Sequence, residues 1–111
     1  MQGKNKKIEA IEKRIKYLKK ELIAIENMRP GLLTKQYKNS KEKIGGYYQI
    51  SYTYKMKSKT DYVRKIHIEK LNKEINNCKK FCKLTKEWID LALQKSKLEI
   101  KSDDKKNIKN S

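Results

Sequence analysis

The amino-acid sequence predicts an α+β protein that is mainly α, with two long antiparallel helices packed like a coiled coil and a β-hairpin inserted between them. Three observations support this class: an apolar stripe with heptad spacing near the start, a two-residue alternation in the middle, and a broad apolar stripe in the last third. A chain of 111 residues supports one modest core, so we expect a single domain over residues 1–100 and exclude a large enzyme fold.

The first helix is predicted over residues 4–28, because its apolar residues recur in alternating steps of three and four. This spacing places them on a narrow stripe that suits a helical partner. Pro30 and Gly31 end the helix, since proline disfavours helix in the residue before it and glycine permits a reversal. The stripe consists of Ile8, Ile11, Ile15, Leu18, Leu22 and Ile25.

The β-hairpin is predicted over residues 47–64, after a loop at residues 29–46 that shows no periodicity. Aromatic and branched residues alternate with polar ones in its first half, as in a strand with one buried face. Residues 57–59 are predicted as the turn. One face of the hairpin must lie on the helices, since an isolated hairpin is marginal in water. The predicted buried face holds Tyr48, Ile50, Tyr52, Tyr54 and Met56.

The second helix is predicted over residues 66–100, and residues 101–111 are predicted as a flexible polar tail. Its broad apolar face suits packing against both the first helix and one side of the hairpin. Cys78 and Cys82 are four residues apart on this face, so we expect small buried thiols that form no disulfide.

The charge of the chain indicates a polyanionic partner. It carries 30 Lys and Arg residues against 13 acidic residues, a formal net charge of +17. Such an excess attracts phosphates and opposes self-association. Six of the seven tyrosines lie among the lysines in the middle of the chain. This mixture fits unpaired nucleic acid, because lysine neutralises phosphate while a ring stacks on a base; it also fits a solvated strand edge with tyrosines in the core.

The candidate site is predicted to contact the nucleic-acid backbone more than the base edges, since the chain has only three arginines. We expect RNA rather than DNA, because aromatic side chains favour unpaired bases. The predicted phosphate-binding residues are Lys35, Lys38, Lys41, Lys43, Lys55, Lys57, Lys59 and Arg64, and the predicted stacking residues are Tyr37, Tyr47 and Tyr62.

No arrangement of residues predicts catalysis, a metal site or a cofactor. The two cysteines and the single histidine, His67, are too few for a zinc site. Gly45 and Gly46 are not followed by the lysine and hydroxyl of a phosphate-binding loop. No stretch approaches the roughly 20 apolar residues of a membrane span, and the start lacks the apolar segment of a secretion signal. We therefore expect a non-enzymatic cytoplasmic protein with no membrane partner.

Five segments of the chain form a recognisable set: Met28–Leu33, Gln36–Tyr37, Gly46–Tyr52, Lys59–Val63 and Asn77–Phe81. Together they resemble a family of short bacterial and archaeal proteins of unknown function, whose members tend to occur near mobile genetic elements. The resemblance covers about residues 22–98. It implies the order helix, hairpin, helix and a mobile-element context, and it supplies no activity.

These observations lead to the hypothesis of a small nucleic-acid-binding accessory or regulatory protein of a phage or mobile element, whose partner is RNA or a ribonucleoprotein. One alternative is a phage-type inhibitor or adaptor that binds a host nuclease or ribonucleoprotein through its positive charge. A second alternative is a coiled-coil oligomerisation scaffold, with a homodimer formed through the helices.

Overall fold

The computed structural model describes the backbone of residues 5–110 and the side chains of residues 5–104. This part of the chain contains two α-helices and one three-stranded antiparallel sheet, which confirms the predicted α+β, mainly α, class. The elements in chain order are α1 (Lys6–Ile23), β1 (Leu32–Asn39), β2 (Ile44–Tyr54), β3 (Lys57–Val63), a 3₁₀ turn (Lys65–His67) and α2 (Ile68–Asn110).

The structure divides into two units. A helical unit combines α1 with the part of α2 from Phe81 onward, and a sheet unit comprises residues 25–80. The core of the helical unit uses the predicted heptad stripe of α1, of which Ile8, Ile11 and Leu18 are buried. Leu84 of α2 is buried in the same unit.

Side-chain contacts show that the two helices of the helical unit run antiparallel. Lys19 lies over the ring of Trp88, with Nζ 5.3 Å from the centroid, while Glu12, earlier in α1, pairs with Lys95, later in α2, at 3.3 Å. The heptad spacing of α1, together with the apolar face predicted for the second helix, therefore predicted this pairing correctly.

A bidentate ion pair adds to these contacts. The guanidinium of Arg14 donates from Nε and Nη2 to the two carboxylate oxygens of Glu87, at 2.5 and 3.0 Å. These hydrogen bonds hold the pKa of Glu87 below its usual range and raise that of Arg14. Both groups are partly exposed, so we expect this pair to contribute little to stability.

The first helix is shorter than predicted. Asn5 caps its start, since its side chain accepts a hydrogen bond from the backbone N–H of Lys7 at 2.7 Å. The helix ends at Ile23 rather than at residue 28. Tertiary hydrogen bonds account for the difference: the backbone N–H of Arg29 donates to the carbonyl of Glu74, and the amide of Asn77 donates to the carbonyl of Asn27. These bonds hold the connecting segment along α2 in a non-helical conformation.

The segment predicted as a loop at residues 29–46 contains strand β1. This strand pairs with β2 in a register that places Leu33 opposite Ile50. The prediction missed it because lysines interrupt its apolar alternation. Lysines are common on edge strands, where they discourage pairing with other chains.

The sheet packs on the first turns of α2. Ile50 is 1% exposed and forms the centre of the cluster with Val63 and Ile75. Gly31 lies directly over it, since a Cβ there would be 2.7 Å from Ile50 Cδ1 and the residue has φ of +151°. Glycine is therefore required for this close approach. The residues packed around the cluster are Leu33, Tyr48, Ile68 and Leu71.

The turn between β2 and β3 occupies Lys55 and Met56, two residues before the predicted turn at 57–59. Both turn residues have positive φ, 51° and 65°, a conformation that Asn and Gly adopt more readily. Met56 is consequently 97% exposed and Tyr54 is 55% exposed. Their predicted place on the buried face was wrong, because the chain already reverses direction at Lys55 and Met56.

The second helix begins at Ile68, after the 3₁₀ turn, and continues to Asn110 instead of ending at residue 100. The predicted polar tail is thus helical through Asn110, and Ser111 lies outside the described residues. No proline or glycine occurs beyond Ile100, so each added residue gains a backbone hydrogen bond at small cost. Cys78 is half-buried, whereas Cys82 is exposed, contrary to the prediction that both are buried. Over the described residues, neither helix is both long and apolar enough to span a membrane.

Candidate nucleic-acid interface

The predicted cations do not form one continuous surface. Lys41 and Lys43 lie in the turn before β2, and Lys55 lies in the turn after it. Since β2 has 11 residues, these turns are separated by roughly 33 Å. Lys57 and Lys59 lie toward the end of the sheet that carries Lys55, opposite Tyr54 and Tyr52 in the β2–β3 ladder. The positive charge of the sheet unit is therefore divided between two ends.

The two faces of the sheet differ in chemistry. Residues that pair directly across strands share a face, so Leu33, Tyr48, Ile50 and Val63 lie on the face packed against α2. We call the opposite side the outer face. By the alternation of side chains along the strands, this face carries Leu32 and Lys38 together with uncharged polar and aromatic residues; the residues used below are Thr34, Gln36, Tyr47, Gln49 and Tyr62.

Unequal strand lengths create a cavity at one end of the sheet, which we call the notch. The ladder between β2 and β3 ends at the pair Tyr48 and Val63, while β2 extends back to Ile44. The resulting cavity has a volume of about 300 Å³. Three lysines and four tyrosines line it. The lining residues are Lys35, Tyr37, Lys43, Gly46, Tyr47, Tyr48, Tyr62, Val63 and Lys65.

Lys35 extends over two aromatic rings in the notch. Its Nζ is 5.6 Å from the ring centroid of Tyr37 and 5.7 Å from that of Tyr48, which are distances at which a cation is attracted to a ring. Gly46 leaves room for this side chain, because a Cβ at that position would be 2.9 Å from Lys35 Cε. The ammonium group is thus placed among the tyrosines.

Tyr47 and Tyr62 form the aromatic part of the outer face. Their ring centroids are 6.4 Å apart with planes tilted by 34°, and Tyr62 is 70% exposed. Gln36 lies opposite Tyr47 in the ladder, and Gln49 lies opposite Tyr62. Rings flanked by amides provide stacking surfaces together with hydrogen-bond donors and acceptors, the groups that recognise unpaired bases.

The structure brings together five of the residues predicted for the site. Tyr48 and Lys65 were missed: Tyr48 was assigned to the core, which it also contacts, and Lys65 lies just beyond the predicted hairpin. The signal that identifies them is the strand register, which only the paired sheet supplies. The five residues in the notch are Lys35, Lys43, Tyr37, Tyr47 and Tyr62, whereas Lys38, Lys41, Lys55, Lys57, Lys59 and Arg64 lie outside it.

Among the described side chains, no group of three or more His, Cys, Asp or Glu residues is arranged to hold a metal ion. Comparison with protein-family models, with curated proteins and with solved structures finds no match to this chain. The geometry and chemistry of the notch and of the outer face beside it are therefore the basis for the function proposed below.

Proposed function

We propose that this protein binds unpaired nucleic acid, RNA in preference to DNA, at the notch and the adjoining outer face. The observation that supports the proposal is the clustering of three lysines and four tyrosines around one cavity. Lysines contact phosphate and tyrosines stack on bases, so the two components of a nucleotide each find a partner there.

The lysines of the notch are assigned to the phosphate. Lys35 is held among the rings, while Lys43 in the turn and Lys65 after β3 approach the cavity from two other sides. A site of about 300 Å³ suits a single nucleotide unit, and it is too small for a duplex. The net charge of +17 adds long-range attraction that increases the rate of encounter.

The outer face is assigned to the base. Tyr62, with 70% of its surface exposed, provides a ring for stacking at the rim of the cavity. The amides of Gln36 and Gln49 supply donors and acceptors beside the two rings. Of these amides, Gln36 already donates from Nε2 to Thr34 Oγ1 at 3.1 Å, which fixes its orientation and leaves its oxygen to accept from a base. An accessory role in a mobile element, which the family resemblance implies, remains a prediction.

The salt dependence of binding tests the role of the notch. For single strands, each neutralised phosphate contributes about −0.7 to the slope of log K against log salt, so the triple variant Lys35→Gln/Lys43→Gln/Lys65→Gln should reduce its magnitude by about 2. The control variant Lys55→Gln/Lys57→Gln/Lys59→Gln removes the same charge at the other end of the sheet and should change the slope by less than half as much. The measurement is fluorescence anisotropy with a labelled oligouridine, the matching oligothymidine and a duplex of equal length.

Equal changes in slope for the two triple variants would contradict a localised site, because they would show that charge acts without regard to position. Tighter binding of the duplex than of either single strand would contradict recognition of unpaired bases.

The stacking role is tested separately at Tyr62. Tyr62→Ala should weaken oligouridine binding by about tenfold, within the range of roughly 1–3 kcal/mol for one stacked base, and Tyr62→Phe should retain most of the affinity. Tyr54→Ala is the matched control, since Tyr54 is also exposed on β2, at 55%, with Lys55 Nζ 5.3 Å from its ring centroid, but lies at the far end of the sheet. If both alanine variants lose the same affinity, Tyr62 is not a stacking residue.

A further inference from the structure

A second cavity lies between β3 and the first turns of α2. It has a volume of about 420 Å³, and we call it the groove. Its floor is apolar and consists of Ile50, Val63 and Leu71. The floor therefore offers a place for an aliphatic side chain.

The rim of the groove is positively charged. Three cations, Arg29, Arg64 and Lys70, line it beside the side chain of His67, with Asp61 as the acidic member of the lining; Lys70 Nζ also lies 3.9 Å from the carboxylate of Glu74. The carboxylate of Asp61 already accepts a hydrogen bond from the hydroxyl of Tyr52 at 2.9 Å, a contact that raises the pKa of Tyr52. The cations thus outnumber the acid, and a ligand with negative charge is favoured.

The groove borders an edge strand. The strand order β1-β2-β3 leaves one side of β3 without a strand partner in the described sheet. Four consecutive residues from Asp61 to Arg64 line the groove, including Tyr62, whose side chain lies on the outer face. Residues of this edge strand thus border the groove, and an edge strand can pair with another extended chain.

We propose that the groove binds an acidic peptide, which adds to β3 as a fourth strand and places an aliphatic side chain on the apolar floor. Edge pairing supplies backbone hydrogen bonds, and a side-chain pocket supplies specificity. A nucleic-acid strand has no alternating N–H and C=O groups to match those of β3. A second copy of this chain is disfavoured by the repulsion between two proteins of charge +17. The groove shares Tyr62 and Val63 with the notch, but its basic rim of Arg29, Arg64 and Lys70 lies outside the notch, so the proposal does not depend on the nucleic-acid site.

The test uses a synthetic peptide, Glu-Glu-Leu-Glu-Val-Glu-Glu, added to the isotope-labelled full-length protein at low salt. Amide NMR signals of Asp61–Arg64 and His67–Leu71 should shift on binding. The variant Arg64→Glu/Lys70→Glu should weaken binding by at least about tenfold, since two attractive charges become repulsive. The control Lys73→Glu/Lys79→Glu makes the same change in net charge at exposed positions of α2 outside the groove and should retain most of the affinity.

A peptide of the same sequence with alternate amides N-methylated separates strand addition from charge attraction. It keeps every charge but loses the hydrogen bonds that pair with β3, so it should bind at least about tenfold more weakly. Equal affinity of the methylated peptide, or equal losses in the two charge-reversed variants, would overturn the proposal. Displacement of the peptide by oligouridine from the amides of His67–Leu71, which lie outside the notch, would also overturn it, because the groove would then belong to the nucleic-acid site. Circular dichroism confirms that each variant is folded.

Discussion

Ile50→Ala is expected to lower the free energy of unfolding by about 2 to 5 kcal/mol, the range for alanine substitution of a buried aliphatic residue. Ile50 is 1% exposed and packs against Val63 and Ile75 at the centre of the sheet unit. The backbone of Gly31 already lies close against the side chain of Ile50. We therefore expect that this backbone cannot easily move in to fill the cavity that Ile50→Ala leaves. Urea denaturation followed by circular dichroism measures the change.

The same substitution should weaken binding of oligouridine. Tyr48 and Val63 pack around Ile50 and also line the notch, so loosening this cluster displaces the walls of the site. Leu32→Ala is the control for stability, since Leu32 belongs to the same sheet but is 59% exposed; we expect a change of about 0.5 kcal/mol or less. A loss of stability at Leu32 equal to that at Ile50 would show that the assigned core is incorrect.

Leu18→Ala is expected to cost a similar amount, about 2 to 5 kcal/mol, in the helical unit. Leu18 is completely buried, at 0% exposure, on the heptad stripe of α1. Trp88, the single tryptophan of the chain, lies beside Lys19 in the same unit, so its fluorescence reports on this packing. Denaturation followed at the tryptophan should shift to lower urea in the variant.

Ile23→Ala is the matched control for this helix. Ile23 is the last residue of α1 and is 85% exposed, so its substitution should change stability by about 0.5 kcal/mol or less. If Leu18→Ala leaves the tryptophan transition unchanged, the apolar stripe of α1 does not form the core that the heptad spacing predicts.

Strand β1 and the hairpin turn illustrate where sequence reasoning failed. The apolar alternation of β1 is interrupted by lysines, so its identity as a strand depends on the register that pairs Leu33 with Ile50. The turn at Lys55 and Met56 carries neither Asn nor Gly, and the β2–β3 register holds both residues at positive φ. In both places tertiary pairing outweighs the local preference of the residues.

Which residues line the notch likewise depends on pairing between residues that are far apart in the sequence. Lys35 and Lys65 are distant in sequence, and they line the same cavity because β3 ends opposite Tyr48 while β2 continues past it. The composition of the middle of the chain predicted that lysines and tyrosines would form the site, but not which of them share a cavity. Lys57 and Lys59 belong to the same lysine-rich middle segment but lie at the other end of the sheet.

The sequence by itself determined the fold class, the apolar stripe of α1 and the strand character of β2. These features follow from short periods of 3.5 and 2 residues, which each segment carries within itself. The tertiary structure alone decided where α1 ends, that β1 is a strand, and which residues line the notch. Each of these depends on a hydrogen bond or a strand register between residues far apart in the chain, as between Asn77 and Asn27 or between Val63 and Tyr48.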